Sequence, residues 1–371
     1  MTDWETPIPT GSPSRWPAVA MAVGLGVLVL GLWWAASATA NEERLVDPPA
    51  LEIRQRVIDD LGQWTPAIFS STSLDGQGFV GLSNDGGQVR LIESRDGFTI
   101  DQERPTDFPF GYFTNAIETT ASGYHVIGHL ARIEDAVFTS TDGLAWERFE
   151  VDIPLPATAL GIEHFHRGAD TAALIGSLGS AGSFTTRETV AMWWDANGTQ
   201  SVIAEPPCFS ESDDCAISSV ISVDDGFLVT HEREGSVALS RWSRQDGWTS
   251  VAYLSPDAFE SATLFATANA AVWFLDAHRI VRSDDGGRNW NLSVEAPTGE
   301  QGRFIGVSAS GSTSVFQTDT DLWLRGDGSW STFPLEDATV DRLLALTDET
   351  ALLGGSTPDG AASIRLVPHD A

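Results

Sequence analysis

A short phrase returns along this chain: a polar strand end, then Asp and Gly, then an aromatic. The fullest copy is Ser283-Asp284-Asp285-Gly286-Gly287-Arg288-Asn289-Trp290. Shorter copies are Ser94-Arg95-Asp96-Gly97-Phe98, Ser140-Thr141-Asp142-Gly143-Leu144-Ala145-Trp146, Gln245-Asp246-Gly247-Trp248 and Gly326-Asp327-Gly328-Ser329-Trp330, with Trp194-Asp195-Ala196-Asn197-Gly198 a degraded sixth. From Asp96 through Asp142, Asp195, Asp246 and Asp285 to Asp327 the spacings are 46, 53, 51, 39 and 42 residues. Recurrence at that length marks a chain built from copies of one supersecondary unit that cannot bury its apolar surface alone. The phrase suits a strand reversal. Asp accepts hydrogen bonds from the amides of its own turn, Gly supplies positive φ, and the aromatic is expected to cover the hairpin.

Between the phrases lie short apolar runs broken by turn residues, as in Gly78-Phe79-Val80-Gly81-Leu82, Gly226-Phe227-Leu228-Val229-Thr230 and Ala271-Val272-Trp273-Phe274-Leu275. No long helical period occurs after residue 65, so the globular part reads as nearly all β. A period of about 40 to 50 residues is that of propeller blades. The full copy matches Ser-x-Asp-x-Gly-x-x-Trp, and the repeats resemble the Asp-box (BNR) β-propellers, a superfamily that includes sialidases, sortilin-type receptors and the photosystem II assembly propeller. The likeness runs from about residue 62 to residue 368. It implies a fold and no activity, because enzymes, receptors and assembly factors all use it.

Six phrases close six blades. Residues 340 to 368 then offer three strand candidates, Arg342–Leu346, Ala351–Leu353 and Ser363–Val367, with no phrase after them. Near the start, Asp59-Asp60-Leu61-Gly62-Gln63-Trp64 reads as a worn copy followed by Thr65-Pro66-Ala67-Ile68, with no strands of its own before it. The expectation is a seven-bladed β-propeller closed by this N-terminal strand, which removes free sheet edges. The domain reading is a tail over 1–16, a transmembrane helix over 17–36, a stalk with a short helix over 37–61 and the propeller over 62–368.

Pro17 to Ala36 carries no charge, a length that spans a bilayer core at about 1.5 Å per residue. Trp33-Trp34 would sit at an interface. The competing reading is a signal peptide cleaved near Ala38-Thr39-Ala40, which would make the protein secreted. No cysteine lies near the segment, so a lipoprotein anchor is excluded. Arginines flank it on both sides, and the positive-inside rule alone does not orient it. The reading places the propeller on the extracytoplasmic side of the cell membrane. The segment is signal-like, and the two cysteines, Cys208 and Cys215, stand at loop spacing that suits a disulfide in an oxidising compartment.

Fifty-two acidic residues against twenty-one basic ones leave a net charge of −31. Every basic residue is Arg, a composition that fits a high-GC bacterial genome. Such a surface repels nucleic acid and anionic headgroups and would attract cations, basic proteins or basic cell-wall groups, but general solubility or salt tolerance is the favoured account of it.

Catalytic sets are hard to assemble. The sialidase resemblance would bring an Arg cluster, a Tyr/Glu pair and a Phe-Arg-Ile-Pro phrase, and this sequence has no Phe-Arg-Ile-Pro. Only Tyr112, Tyr124 and Tyr253 could be nucleophiles, and none matches the motif. In Glu163-His164-Phe165-His166-Arg167 a strand would turn His164 and His166 to one face, as two metal ligands could be, but no third ligand is legible. No metal and no cofactor is expected. Two functions remain: a membrane-anchored module that binds or assembles an envelope protein, peptide or glycan, and an exported glycan hydrolase working through paired carboxylates. Oligomeric state is left open.

Overall fold

A computed structural model describes residues 50–55, 70–85, 87–109, 113–130, 134–180, 183–203, 215–233, 236–253, 263–266, 271–275, 278–297, 300–326, 328–335 and 337–367. All described residues belong to one compact unit, Pro48–Ala371. The membrane segment expected at 17–36, the worn phrase at 59–64 and Cys208 therefore lie outside the described residues.

The described elements are all strands. The first, β1 (Ala50–Gln55), stands apart in sequence from the blade it joins. Blade one holds β2 (Ser71–Thr72), β3 (Phe79–Asp85), β4 (Gln88–Ser94) and β5 (Gln102–Pro105). Blade two holds β6 (Phe113–Thr120), β7 (Gly123–Leu130), β8 (Glu134–Ser140) and β9 (Glu147–Arg148). Blade three holds β10 (Ala159–Arg167), β11 (Ala172–Ser180), β12 (Ser183–Trp194) and β13 (Gln200–Ile203). Blade four holds β14 (Cys215–Val223), β15 (Gly226–Arg233), β16 (Ser236–Ser243) and β17 (Gly247–Tyr253). Blade five holds β18 (Thr263–Ala266), β19 (Val272–Leu275), β20 (Arg279–Ser283) and β21 (Asn291–Glu295). Blade six holds β22 (Arg303–Val307), β23 (Ser314–Gln317), β24 (Asp321–Gly326) and β25 (Ser329–Pro334). Blade seven comprises β26 (Thr339–Leu346), β27 (Ala351–Thr357) and β28 (Gly360–Val367), with β1 antiparallel to β28.

Each blade is thus a four-stranded antiparallel meander, seven in all. Blades touch in chain order, and β26 of blade seven meets β2 of blade one, so the series has no end. In five blades the first strand carries a bulge against the second, as between Ile162 and His164 or Ile217 and Ser219. Bulges add local twist and re-aim the residues beside them.

The core is divided among the seams between blades. Among the described residues seven apolar clusters are present, and each spans two neighbouring blades. Phe79 and Ile92 of blade one pack with Ala345 and Leu352 of blade seven, while Val80, Val89 and Leu91 of blade one meet Ile117, Val126 and Phe138 of blade two. A sheet buried on both faces needs apolar residues at successive positions. That explains why all of Val272–Leu275 is buried where a one-sided sheet would alternate. Fully burying each such side chain contributes about 1.5–3 kcal/mol.

One expectation is corrected. The described strand beside β28 is Ala50–Gln55, which was expected in the stalk, and Thr65–Ile68 lies outside the described residues. Residues 50–55 alternate apolar and polar, Leu51-Glu52-Ile53-Arg54, which is a strand period.

Candidate functional site

The recurring Asp-Gly phrases all fall at one topological place, the turn between the third and fourth strands of blades one to six. In blade one, Ser94 Oγ donates to Asp96 Oδ1 (3.0 Å) and accepts from Gly97 N–H (2.8 Å), while Phe98 and Thr99 N–H donate to Asp96 Oδ1 (2.8 and 2.7 Å). Blade two repeats this with Ser140, Asp142, Gly143, Leu144 and Ala145. Blade five repeats it with Ser283, Asp285, Gly287, Arg288 and Asn289. The indole N–H groups of Trp146 and Trp290 donate to the carbonyls of Gly143 and Gly287. Burial disfavours the Asp96 carboxylate, but the Thr99 and Phe98 amides and the Ser94 hydroxyl outweigh it and hold its pKa at about 2. Asp285, bonded first by the Asn289 amide, also lies at about 2.

The shorter copies are looser. Asp195 accepts from Asn197 and Thr199 N–H, and among the described residues Asp246 is bonded to Ser243 alone. Asp327 is outside the described residues, beside Gly328 at φ 82°.

The aromatics do more than cover a hairpin. Phe98, Trp146, Trp194, Trp248, Trp290 and Trp330 each join the cluster shared with the preceding blade. Gly97, Gly143 and Gly287 press on that same blade. A Cβ there would stand 3.0 Å from Leu352, 2.8 Å from Leu91 and 2.7 Å from Leu228. These residues bind blade to blade, which makes them structural.

His164 and His166 sit on β10, the first strand of blade three, and both reach toward β14. His164 Nε2 contacts the Ile217 carbonyl at 3.0 Å, and His166 Nδ1 accepts from Ser222 N–H at 3.1 Å. Burial, then the charge of His125, pushes the pKa of His166 down to about 3, so it is neutral and its proton is on Nε2. Beside it, Glu118 and His125 form a cross-strand pair on β6 and β7 with Oε2 and Nε2 3.0 Å apart. Desolvation by the surrounding protein opposes ionisation of Glu118, whose side chain still reaches solvent, yet the hydrogen bond and charge of His125 keep its carboxyl below the usual value. Among the described residues no group of three or more His, Cys, Asp or Glu is placed to hold a metal ion. Of the tyrosines, Tyr124 is 4% exposed, accepts from Leu74 N–H, and has its pKa raised by burial, contrary to what a nucleophile needs. Tyr112 lies outside the described residues. Cys215 opens β14 opposite Arg233.

Sequence reasoning did not find the groove that opens at the seam of blades two and three, a space of about 490 Å³. One wall is the segment after β9, Phe149 to Asp152. The other is the β10–β11 turn with Asp170 and the end of β12 with Trp194 and Asp195. The Gln200 side-chain amide pins the first wall by donating to Asp152 O (2.6 Å) and accepting from Asp152 N–H (2.8 Å). Phe149 stacks edge-on with Trp194 at 5.0 Å and Phe165 at 5.1 Å. Arg167 donates to Thr139 Oγ1 (2.9 Å) and lies 5.9 Å over Phe149. Asp195 pairs with Arg244 at 3.2 Å, and its pKa is lowered first by the Thr199 amide. The one signal in sequence was the density of acids beside aromatics in Trp146-Glu147-Arg148-Phe149-Glu150-Val151-Asp152.

No protein-family model matches the chain, and no curated protein matches it. Among solved structures it is similar to an oligogalacturonate lyase in complex with manganese, at 12% identity and TM-score 0.54 over 87% of this chain and 97% of that one. An oligogalacturonate lyase from Vibrio parahaemolyticus is 12% identical, with TM-score 0.49 over 86% of this chain and 96% of that one. YCF48 bound to D1 peptide is 14% identical, with TM-score 0.46 over 86% and 97%. What the first likeness adds to the strand order is a fold: the chain is an all-β, seven-bladed propeller.

Proposed function

We propose that this protein is a membrane-anchored, extracytoplasmic binding or assembly module for an envelope protein, with the ring clasped by β1 and the groove between blades two and three as its recognition site. One observation carries the reading: a groove of about 490 Å³ with one wall pinned by Gln200, lined by aromatic and carboxylate side chains. Rigid, concave surfaces with a few convergent polar groups are where proteins bind ligands. Groups arranged to move a proton or attack a carbon are not part of the support. In this reading residues 17–36 anchor the chain, and Cys208 and Cys215 form a disulfide outside the cytoplasm.

The test uses the full chain in its host. A photo-crosslinking residue at Ala169, in the groove lining, is compared with one at Asp359, in the β27–β28 turn. A discrete adduct from position 169 alone, with external protease digesting the propeller in intact cells, is the expected result. Adducts that are identical from both positions, or a propeller shielded from external protease, would overturn it.

A further inference from the structure

Resting on the binding reading above, we infer that the groove receives a basic segment of a protein partner, with arginine or lysine side chains entering between Glu150, Asp152 and Asp170. The acids of this chain are used in different ways. Carboxylates in the fuller Asp-Gly turns carry several hydrogen bonds each: Asp96 takes the amides of Phe98 and Thr99 and the hydroxyls of Ser94 and Thr99. Asp285 takes the amides of Arg288 and Asn289, the Ser283 hydroxyl and the Asn289 side chain. The carboxylates of Glu150, Asp152 and Asp170 have no ion-pair or hydrogen-bond partner among the described residues, and all three residues are exposed. They do nothing for the turn or the seam that carries them.

Like charges gathered in one concavity repel one another, and low-dielectric walls strengthen their field. The cations nearby offset this only partly. Arg244 is committed to Asp195, and the Arg167 guanidinium is committed to the Thr139 hydroxyl and the Phe149 ring. A guanidinium stacked on an aromatic is thus already accommodated at this wall, and Trp194 lies beside it. An incoming cation would gain the field of three uncompensated carboxylates and charge-assisted hydrogen bonds to them. Charge complementarity therefore selects a basic protein segment over an acidic or neutral one, and steers its approach.

The experiment uses the full chain in detergent and two labelled nine-residue peptides with blocked ends, one carrying two arginines and the other citrulline in their place. Anisotropy titration at low salt should show the arginine peptide binding at least tenfold more tightly than the citrulline peptide, with the difference shrinking as salt rises. The double variant Glu150→Gln, Asp170→Asn should weaken the arginine peptide at least tenfold. Neutralising two acids far from the groove, Asp284→Asn and Asp359→Asn, should change it less than twofold. Equal binding of both peptides, or equal loss in both double variants, would overturn the inference. If the arginine peptide fails while position 169 still crosslinks a discrete partner, the binding reading stands and the cationic ligand falls.

Discussion

His166 sets the acid limit of this fold. It is 8% exposed and neutral, and its Nδ1 accepts a backbone N–H that an imidazolium could not satisfy. Its pKa is about 3 in the folded state against 6.5 for an ordinary histidine, so the unfolded chain binds more protons between those values. Stability from this group is complete above pH 6.5 and drains as pH falls toward 3. The expected loss between pH 6.5 and pH 5 is about 2 kcal/mol. Urea unfolding at the two pH values should show it, and His166→Gln, which keeps an acceptor for Ser222 N–H, should remove it. The Asp96 carboxylate moves the same way in a lower window: its contribution is full above about pH 4 and is lost toward pH 2.

At the scale of elements, the third-to-fourth strand turn is a joint between blades as well as a reversal within one. Two glycine substitutions separate these roles. Gly143→Ala meets positive φ and Leu91 at 2.8 Å, whereas Gly198→Ala meets positive φ with nothing within 4 Å. The first should cost about 3 kcal/mol and the second about 1 kcal/mol in chemical denaturation, since strain is common to both and crowding to one. Trp146→Ala, at a residue 7% exposed, should cost at least as much as Gly143→Ala. The six turns were legible because Asp-Gly is a local signal and its period counts blades. Their role in the seam was not, since nothing in Gly143 itself points to Leu91, a contact made only when two blades meet. The Glu118–His125 pair was legible in principle, because the short turn after Thr120 fixes the register. The groove was not, because its walls come from a connector and two turns that only the ring brings together. The stretch 50–55 was misread because Leu51, Val57, Ile58 and Leu61 also suit a helix, and only pairing with β28 decides between the periods.

Across the whole molecule, six seams hold a Phe or Trp from an Asp-Gly phrase, and the seam of blades six and seven relies on Leu322, Leu324, Leu353, Ile364 and Leu366 with Phe333. Blade seven has no phrase of its own, because its outer strand comes from the other end of the unit. Removing residues 1–55 should leave β28 with an unpaired edge. The expected outcome is a Tm lower by more than about 5 °C and self-association on size-exclusion chromatography with light scattering. A monomer with unchanged Tm would show that β1 is dispensable. The pairing of β1 with β28 also orders events during synthesis. β1 leaves the ribosome before any blade exists, and its hydrogen-bonding partner is translated after all the others. A ribosome that stops short of residue 360 releases a chain whose opening strand has nothing to match, so β1 waits unpaired until β28 has been made.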